Sequence, residues 1–122
     1  MEPIQKDKVQ TIIESFANCE VFLHIETTDG SYAVLRGERS ISVGAFVRNV
    51  PIRFERGSIA GEGPYRVGLK LAHGWVYAEG LTDWEAGEQT QLLLAGHDHE
   101  GRLSVAFQLS ATPFSHGKGE VQ

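Results

Sequence analysis

Cysteine is nearly absent from this chain. The single thiol, Cys19, excludes an internal disulfide, which fits a reducing compartment, and the cytoplasm is the expected location. Missing too is any run of about 18 consecutive apolar residues, so no membrane span and no membrane partner is expected. Met1–Lys8 lacks the apolar stretch of a secretion signal. Positive charge is in deficit: 11 Lys and Arg against 16 Asp and Glu leave a net charge of −5. Proteins that neutralise phosphates carry a basic excess, so no nucleic-acid partner is expected. No Gly-x-Ser-x-Gly nucleophile elbow is present. The glycine-rich stretch Gly57–Gly63 runs into a strand pattern rather than a helix, which removes the helix N-terminus that a phosphate loop needs. No cofactor is implied.

What remains is ordinary globular composition, 41% hydrophobic and 22% charged over 122 residues, enough for one core. We expect a single domain over residues 1–114 and a small, polar, glycine-rich tail over 115–122. Pro3 suits a first helical turn, and Val9, Ile12, Ile13 and Phe16 repeat with the spacing of one helical face, predicting an amphipathic helix that ends near Asn18. From Glu20 the period becomes two. Strand patterns follow at Val21–Glu26, Tyr32–Leu35, Gly44–Val50, Ile52–Glu55, Tyr65–Leu71, Trp75–Glu79, Gln91–Ala95 and Leu103–Leu109, with Pro51 marking a bulge, an edge or a bend. The expected fold is mostly β, α+β at the margin: the helix packed on a curled antiparallel sheet or small barrel of about seven strands. Trp75 is read as core.

Arginine is unevenly placed. Six of the seven lie between Arg36 and Arg66, with no lysine and only three glutamates. The guanidinium fork matches carboxylate or phosphate oxygens in pairs, so this bias points to anion recognition, with solvated strand faces paired to nearby glutamates as the plain alternative. The candidate ligand residues are Arg48, Arg53 and Arg66, with Tyr65 as a hydrogen-bonding neighbour. Arg36 and Arg39 are weaker members.

A second cluster is His97-Asp98-His99-Glu100. On an extended backbone His97 and His99 face the same way and could share a metal ion, with His24, Glu26 or Glu79 as third ligand. The same residues, with Gly101, also make an ordinary hairpin turn. Cys19, at the helix–strand junction, is read as structural.

SVGAFVRN (Ser42–Asn49), GEGPYRVGLK (Gly61–Lys70), GWVYAEGLT (Gly74–Thr82) and LLLAGHDHEGRL (Leu92–Leu103) together resemble the YojF-like family of small uncharacterised proteins from Gram-positive bacteria. FANCEVFLHIETTDGSYA (Phe16–Ala33) and LSATPF (Leu109–Phe114) fit it as well. The resemblance implies no catalytic residue. It implies a genomic neighbour, a deacetylase of bacillithiol synthesis, whose substrate is a glucosamine linked to malate. The expected function is therefore a noncatalytic binding or accessory protein for an anionic metabolite or a partner enzyme, linked to bacillithiol metabolism and with that deacetylase as a possible partner. The alternative is a small metal-dependent hydrolase using His97 and His99. Strands apolar on nearly both faces, Gly74–Gly80 and Leu103–Leu109, lead us to expect a homodimer.

Overall fold

The computed structural model describes residues 1–28, 44–87 and 90–115. The strand expected at Tyr32–Leu35, together with Arg36 and Arg39, lies outside them, as does the expected tail beyond Ser115. A two-residue strand β1 (Glu2–Pro3) precedes one helix, α1 (Lys6–Ser15), and eight further strands follow: β2 (Val21–Thr28), β3 (Gly44–Ile52), β4 (Phe54–Ala60), β5 (Tyr65–Leu71), β6 (Trp75–Leu81), β7 (Asp83–Gly87), β8 (Gln91–His97) and β9 (Leu103–Ser110). They form two antiparallel sheets, a six-stranded one in the order β1-β7-β8-β9-β2-β3 and a three-stranded one in the order β4-β5-β6. Among the described residues neither sheet closes on itself, so the barrel alternative is corrected to two packed open sheets, and the described residues hold nine strands where about seven were expected.

The chain passes between the sheets at two single-residue corners. Arg53 separates β3 from β4, and Thr82 separates β6 from β7. Each corner is tied down. The Arg53 guanidinium donates to the Asn18 carbonyl while Asn18 N–H donates to Phe54 O at 2.7 Å. Thr82 N–H donates to Ala95 O at 2.8 Å and its carbonyl accepts from Ile4 N–H at 3.1 Å. Strands that switch sheets at such corners are how stacked sheets cross without a long connection.

The helix begins later than the proline position predicts. Pro3 pairs in β1 with Asp83, because a residue with no N–H is tolerated in an edge strand as well as in a first helical turn. Val9, Ile13 and Phe16 are buried as the periodicity requires. They join the inner faces of both sheets, including Phe54, Leu69, Leu81, Leu92, Leu94, Phe107 and Leu109, in one core. Burying each such side chain is worth about 1.5–3 kcal/mol.

The helix also closes a sheet edge. Gln10 Nε2 donates to Gly57 O at 3.0 Å and Gln10 Oε1 accepts from Ile59 N–H at 2.9 Å, so one carboxamide pairs with the open side of β4 as a neighbouring strand would. Lys6 Nζ adds a bond to Gly61 O at 2.9 Å. At the other sheet, edge strand β3 carries Pro51 and a register shift opposite Leu23 and Ile25, with Asn49 in the left-handed region at φ 56°. Irregularities of this kind blunt an exposed edge.

Candidate functional site

Alternation puts one residue in two of the three-stranded sheet on the core, and the opposite set on an outer face. Register fixes that outer face as three rows. Arg56, Lys70 and Trp75 are neighbours across the strands, then Ser58, Gly68 and Tyr77, then Ala60, Arg66 and Glu79. A bulge between Phe54 and Arg56 adds Glu55 beside Arg56, both exposed. Trp75 and Tyr77 are 63% and 54% exposed, which corrects the expectation that Trp75 is core. The other tryptophan, Trp84, takes the core position at 7%. Strand alternation alone cannot say which face of a strand is covered; here β4 and β5 present Val67, Leu69 and Ile59 inward, and β6 must follow their register.

Gly68 sits at the centre of this face. A Cβ there would lie 3.7 Å from Tyr77 Cδ1 and 4.0 Å from the Trp75 ring, so both aromatics lean over bare backbone. Lys70 Nζ stands 5.8 Å from the Trp75 ring centroid and donates to Leu71 O at 2.8 Å. Tyr77 Oη donates to Glu79 Oε2 at 3.0 Å, a bond that raises the phenol above its ordinary 10.0. Between Trp75 and the end of α1 the face dips into a hollow of about 470 Å³, lined by Glu14, Ala17, Glu55, Arg56, Ser58 and Trp75. Cations and exposed rings beside a hollow of this size can hold a small ring-bearing anion.

Of the residues singled out from sequence, Arg66 belongs to this face. Tyr65 is half-buried against the core, in register with Leu81. Arg53 serves the corner already described. Arg48 lies on β3 in the other sheet, where Nη2 donates to Ser115 O at 3.1 Å and the guanidinium sits 5.0 Å from the Phe114 ring centroid. The three arginines therefore occupy three different surroundings. Arg56 and Lys70 were missed; the signal that finds them is the period-two step from Arg56 to Ser58 and from Arg66 to Lys70.

Arg48 caps a second cluster. His24 is 6% exposed although it points away from the core. Phe46 lies at 5.5 Å and Phe114 at 6.2 Å from its ring. Arg48 Nη1 is 3.4 Å from its Nδ1, and Glu26 Oε1 is 3.5 Å from its Nε2. Burial first, and Arg48 second, lower its pKa from the ordinary 6.5. Phe114 packs on this histidine and is held by Asn49, whose carboxamide donates to Phe114 O at 3.0 Å and accepts from Phe114 N–H at 2.7 Å.

The histidine motif forms a hairpin turn. Asp98 Oδ1 accepts from the backbone N–H of Glu100 and Arg102, both at 2.9 Å, and Gly101 takes φ 82°. His99 is exposed, with Glu100 Oε2 4.0 Å away. His97 Nδ1 lies 3.0 Å from Asp83 Oδ1, which also accepts from Thr82 Oγ1 at 2.6 Å. The Thr82 hydroxyl is the largest of the effects that hold the Asp83 carboxyl below its ordinary 3.8. Asp83 thus orients the imidazole, but the hydroxyl bonds the carboxylate and not the ring, so no nucleophile–base pair results. Among the described residues no three His, Cys, Asp or Glu side chains gather as a metal site. His24 and Glu26 lie two strands from His97, and Glu79 lies on the other sheet.

Comparison with known proteins returns the same family. The family model described as "Protein of unknown function (DUF1806)" matches residues 3–114. The uncharacterised protein YojF of Bacillus subtilis (strain 168) is 44% identical over 115 residues, covering 94% of this chain and 99% of that protein. The crystal structure of Bacillus subtilis YojF superposes with a TM-score of 0.78 at 38% identity, covering 94% of this chain and 97% of that one.

Proposed function

Because the chain belongs to the YojF-like family DUF1806, whose description names no activity, we propose from its own geometry that it is a noncatalytic binding protein for a small anionic metabolite that carries a ring. The recognition surface in this reading is the outer face of β4, β5 and β6. The observation that carries it is Trp75 and Tyr77, uncovered and side by side over Gly68, in register with Lys70 and flanked by Arg56 and Arg66. Leaving two large aromatics in water forgoes several kcal/mol of burial, on the order of 25 cal/mol per Å². A ligand would recover it while the cations take its charge.

The link to bacillithiol metabolism, and a deacetylase as partner, rest on the family resemblance and enter the proposal through their chemistry. A glucosamine linked to malate offers a ring face to Trp75, two carboxylates to Arg56 and Lys70, and an ammonium to Glu14 or Glu55. Titration of tryptophan fluorescence with that compound, malate and inorganic phosphate tests the proposal, since Trp84 is buried out of a ligand's reach and Trp75 is the exposed ring that contact would perturb. We expect saturable change with the ring-bearing anion, abolished in Arg56→Glu, and no heat of binding by calorimetry in Trp75→Ala, which lacks the reporting ring. Binding unaffected by both substitutions would refute the assigned surface.

A further inference from the structure

We infer that the hollow beside Trp75 takes a nucleobase carrying a phosphate, the base stacked on the tryptophan and the phosphate held by the cations of the same face. This rests on the reading of that face as a recognition surface and adds the chemistry of the ring. An aliphatic anion would use Arg56, Lys70 and Arg66 but would leave Trp75 and Tyr77 without a role. An apolar protein partner would use the rings but would strand three cations in its interface. A planar ring with an anionic arm uses both.

Three details sharpen this. Residues two apart on a strand stand roughly 7 Å apart, and exposed aromatics so placed on an antiparallel sheet are the platform on which successive unstacked bases lie. Stacking of this kind is worth about 1–3 kcal/mol per base. Beside Trp75 and Arg56 the hollow is lined by two carboxylates, Glu14 and Glu55, and one Glu14 oxygen accepts from Gln10 Nε2 at 3.0 Å. Carboxylates accept from exocyclic amino groups, so adenine and cytosine fit where uracil, with a carbonyl at that position, meets repulsion. Finally, about 470 Å³ holds one nucleotide and not a duplex, which accords with a net charge of −5. The ligand is a free nucleotide or one unit of a short single strand.

Titration of ¹⁵N-labelled full-length protein at low salt, followed by the two indole N–H cross-peaks, separates the possibilities. CMP and AMP are expected to shift the Trp75 peak and leave Trp84, with UMP about tenfold weaker and the effect lost in Arg56→Glu. Cytidine or adenine oligonucleotides binding more than tenfold tighter than the mononucleotides identify a single strand as the source; equal affinity identifies the free nucleotide. If ribose 5-phosphate or the malate-linked glucosamine binds as well as CMP, the nucleobase inference falls and the anion-binding surface stands. If none of these anions moves the Trp75 peak, both fall.

Discussion

Two tryptophans in one small chain have opposite duties, and substitution separates them. Trp84 is buried where β7 joins the core, so Trp84→Ala is expected to cost about 3–5 kcal/mol in a denaturant titration. Trp75→Ala is expected to cost less than about 1 kcal/mol, because its ring is mostly in water. Equal losses would contradict the assignment. His24 gives a pH signature. Its folded-state pKa is lowered from 6.5 by burial and then Arg48, so the unfolded chain takes up the proton first as pH falls. Stability from this group is intact above pH 6.5 and declines as pH drops from there through the folded value. Thermal midpoints of wild type and His24→Gln between pH 7.5 and 5 check this: the wild type falls more steeply, and parallel curves would rule it out. None of this could be read from sequence at residue level. A histidine sharing a strand face with Phe22 and Glu26 looks half exposed, and it is buried by Phe46 and Arg48 of the next strand and by Phe114, fixed by Asn49 from 65 positions away.

At the scale of elements, the hairpin β8–β9 and the helix were legible because each is specified by neighbours in sequence: Asp98 and Gly101 make the turn, and the apolar stripe makes the helix face. The corners were not, because their reasons are long-range. Gly96 falls just past the strand pattern Gln91–Ala95 and reads as part of the hairpin turn, yet it lies within β8, and a Cβ there would lie 2.0 Å from Gly80 O, where β6 crosses β8. Gly96→Ala is therefore expected to cost about 3 kcal/mol or more, whereas Gly74→Ala, with nothing within 4 Å of the added carbon, is expected within about 0.5 kcal/mol of wild type. Similar midpoints for the two would show that the crossing yields freely. Gln10 reads as a polar helix residue off the apolar stripe, and its pairing with β4 appears only in three dimensions. Gln10→Ala leaves the Ile59 amide without that partner, for an expected loss of about 1–3 kcal/mol and faster hydrogen exchange at Ile59. Unchanged exchange there would mean that the helix does not guard the edge.

For the whole molecule, alternating antiparallel strands are compatible with a barrel or with two sheets. What decides is that the chain turns a corner at Arg53, two residues past the Pro51 read as a bulge, an edge or a bend, and again at Thr82, and neither signal says that the chain changes sheet there. The candidate surface was half legible for the same reason: the arginine bias pointed to anions, but Arg48, Arg53 and Arg66 are divided among two sheets and a corner, and Trp75 was assigned inward. We propose that the chain is a homodimer, with Phe46, 66% exposed on edge strand β3, as the apolar side chain that a second copy covers. Light scattering on a sizing column is expected to give twice the 13.4 kDa of one chain; a mass of one chain would overturn it. The central claim is that recognition belongs to the outer face of the three-stranded sheet and not to the arginine of the other sheet. Calorimetry with CMP and with the malate-linked glucosamine, on wild type, Arg56→Glu/Trp75→Ala and Arg48→Glu, tests it most directly. The account predicts heat of binding for wild type and Arg48→Glu and none for a folded Arg56→Glu/Trp75→Ala protein; binding lost in Arg48→Glu and kept in the double variant would contradict it.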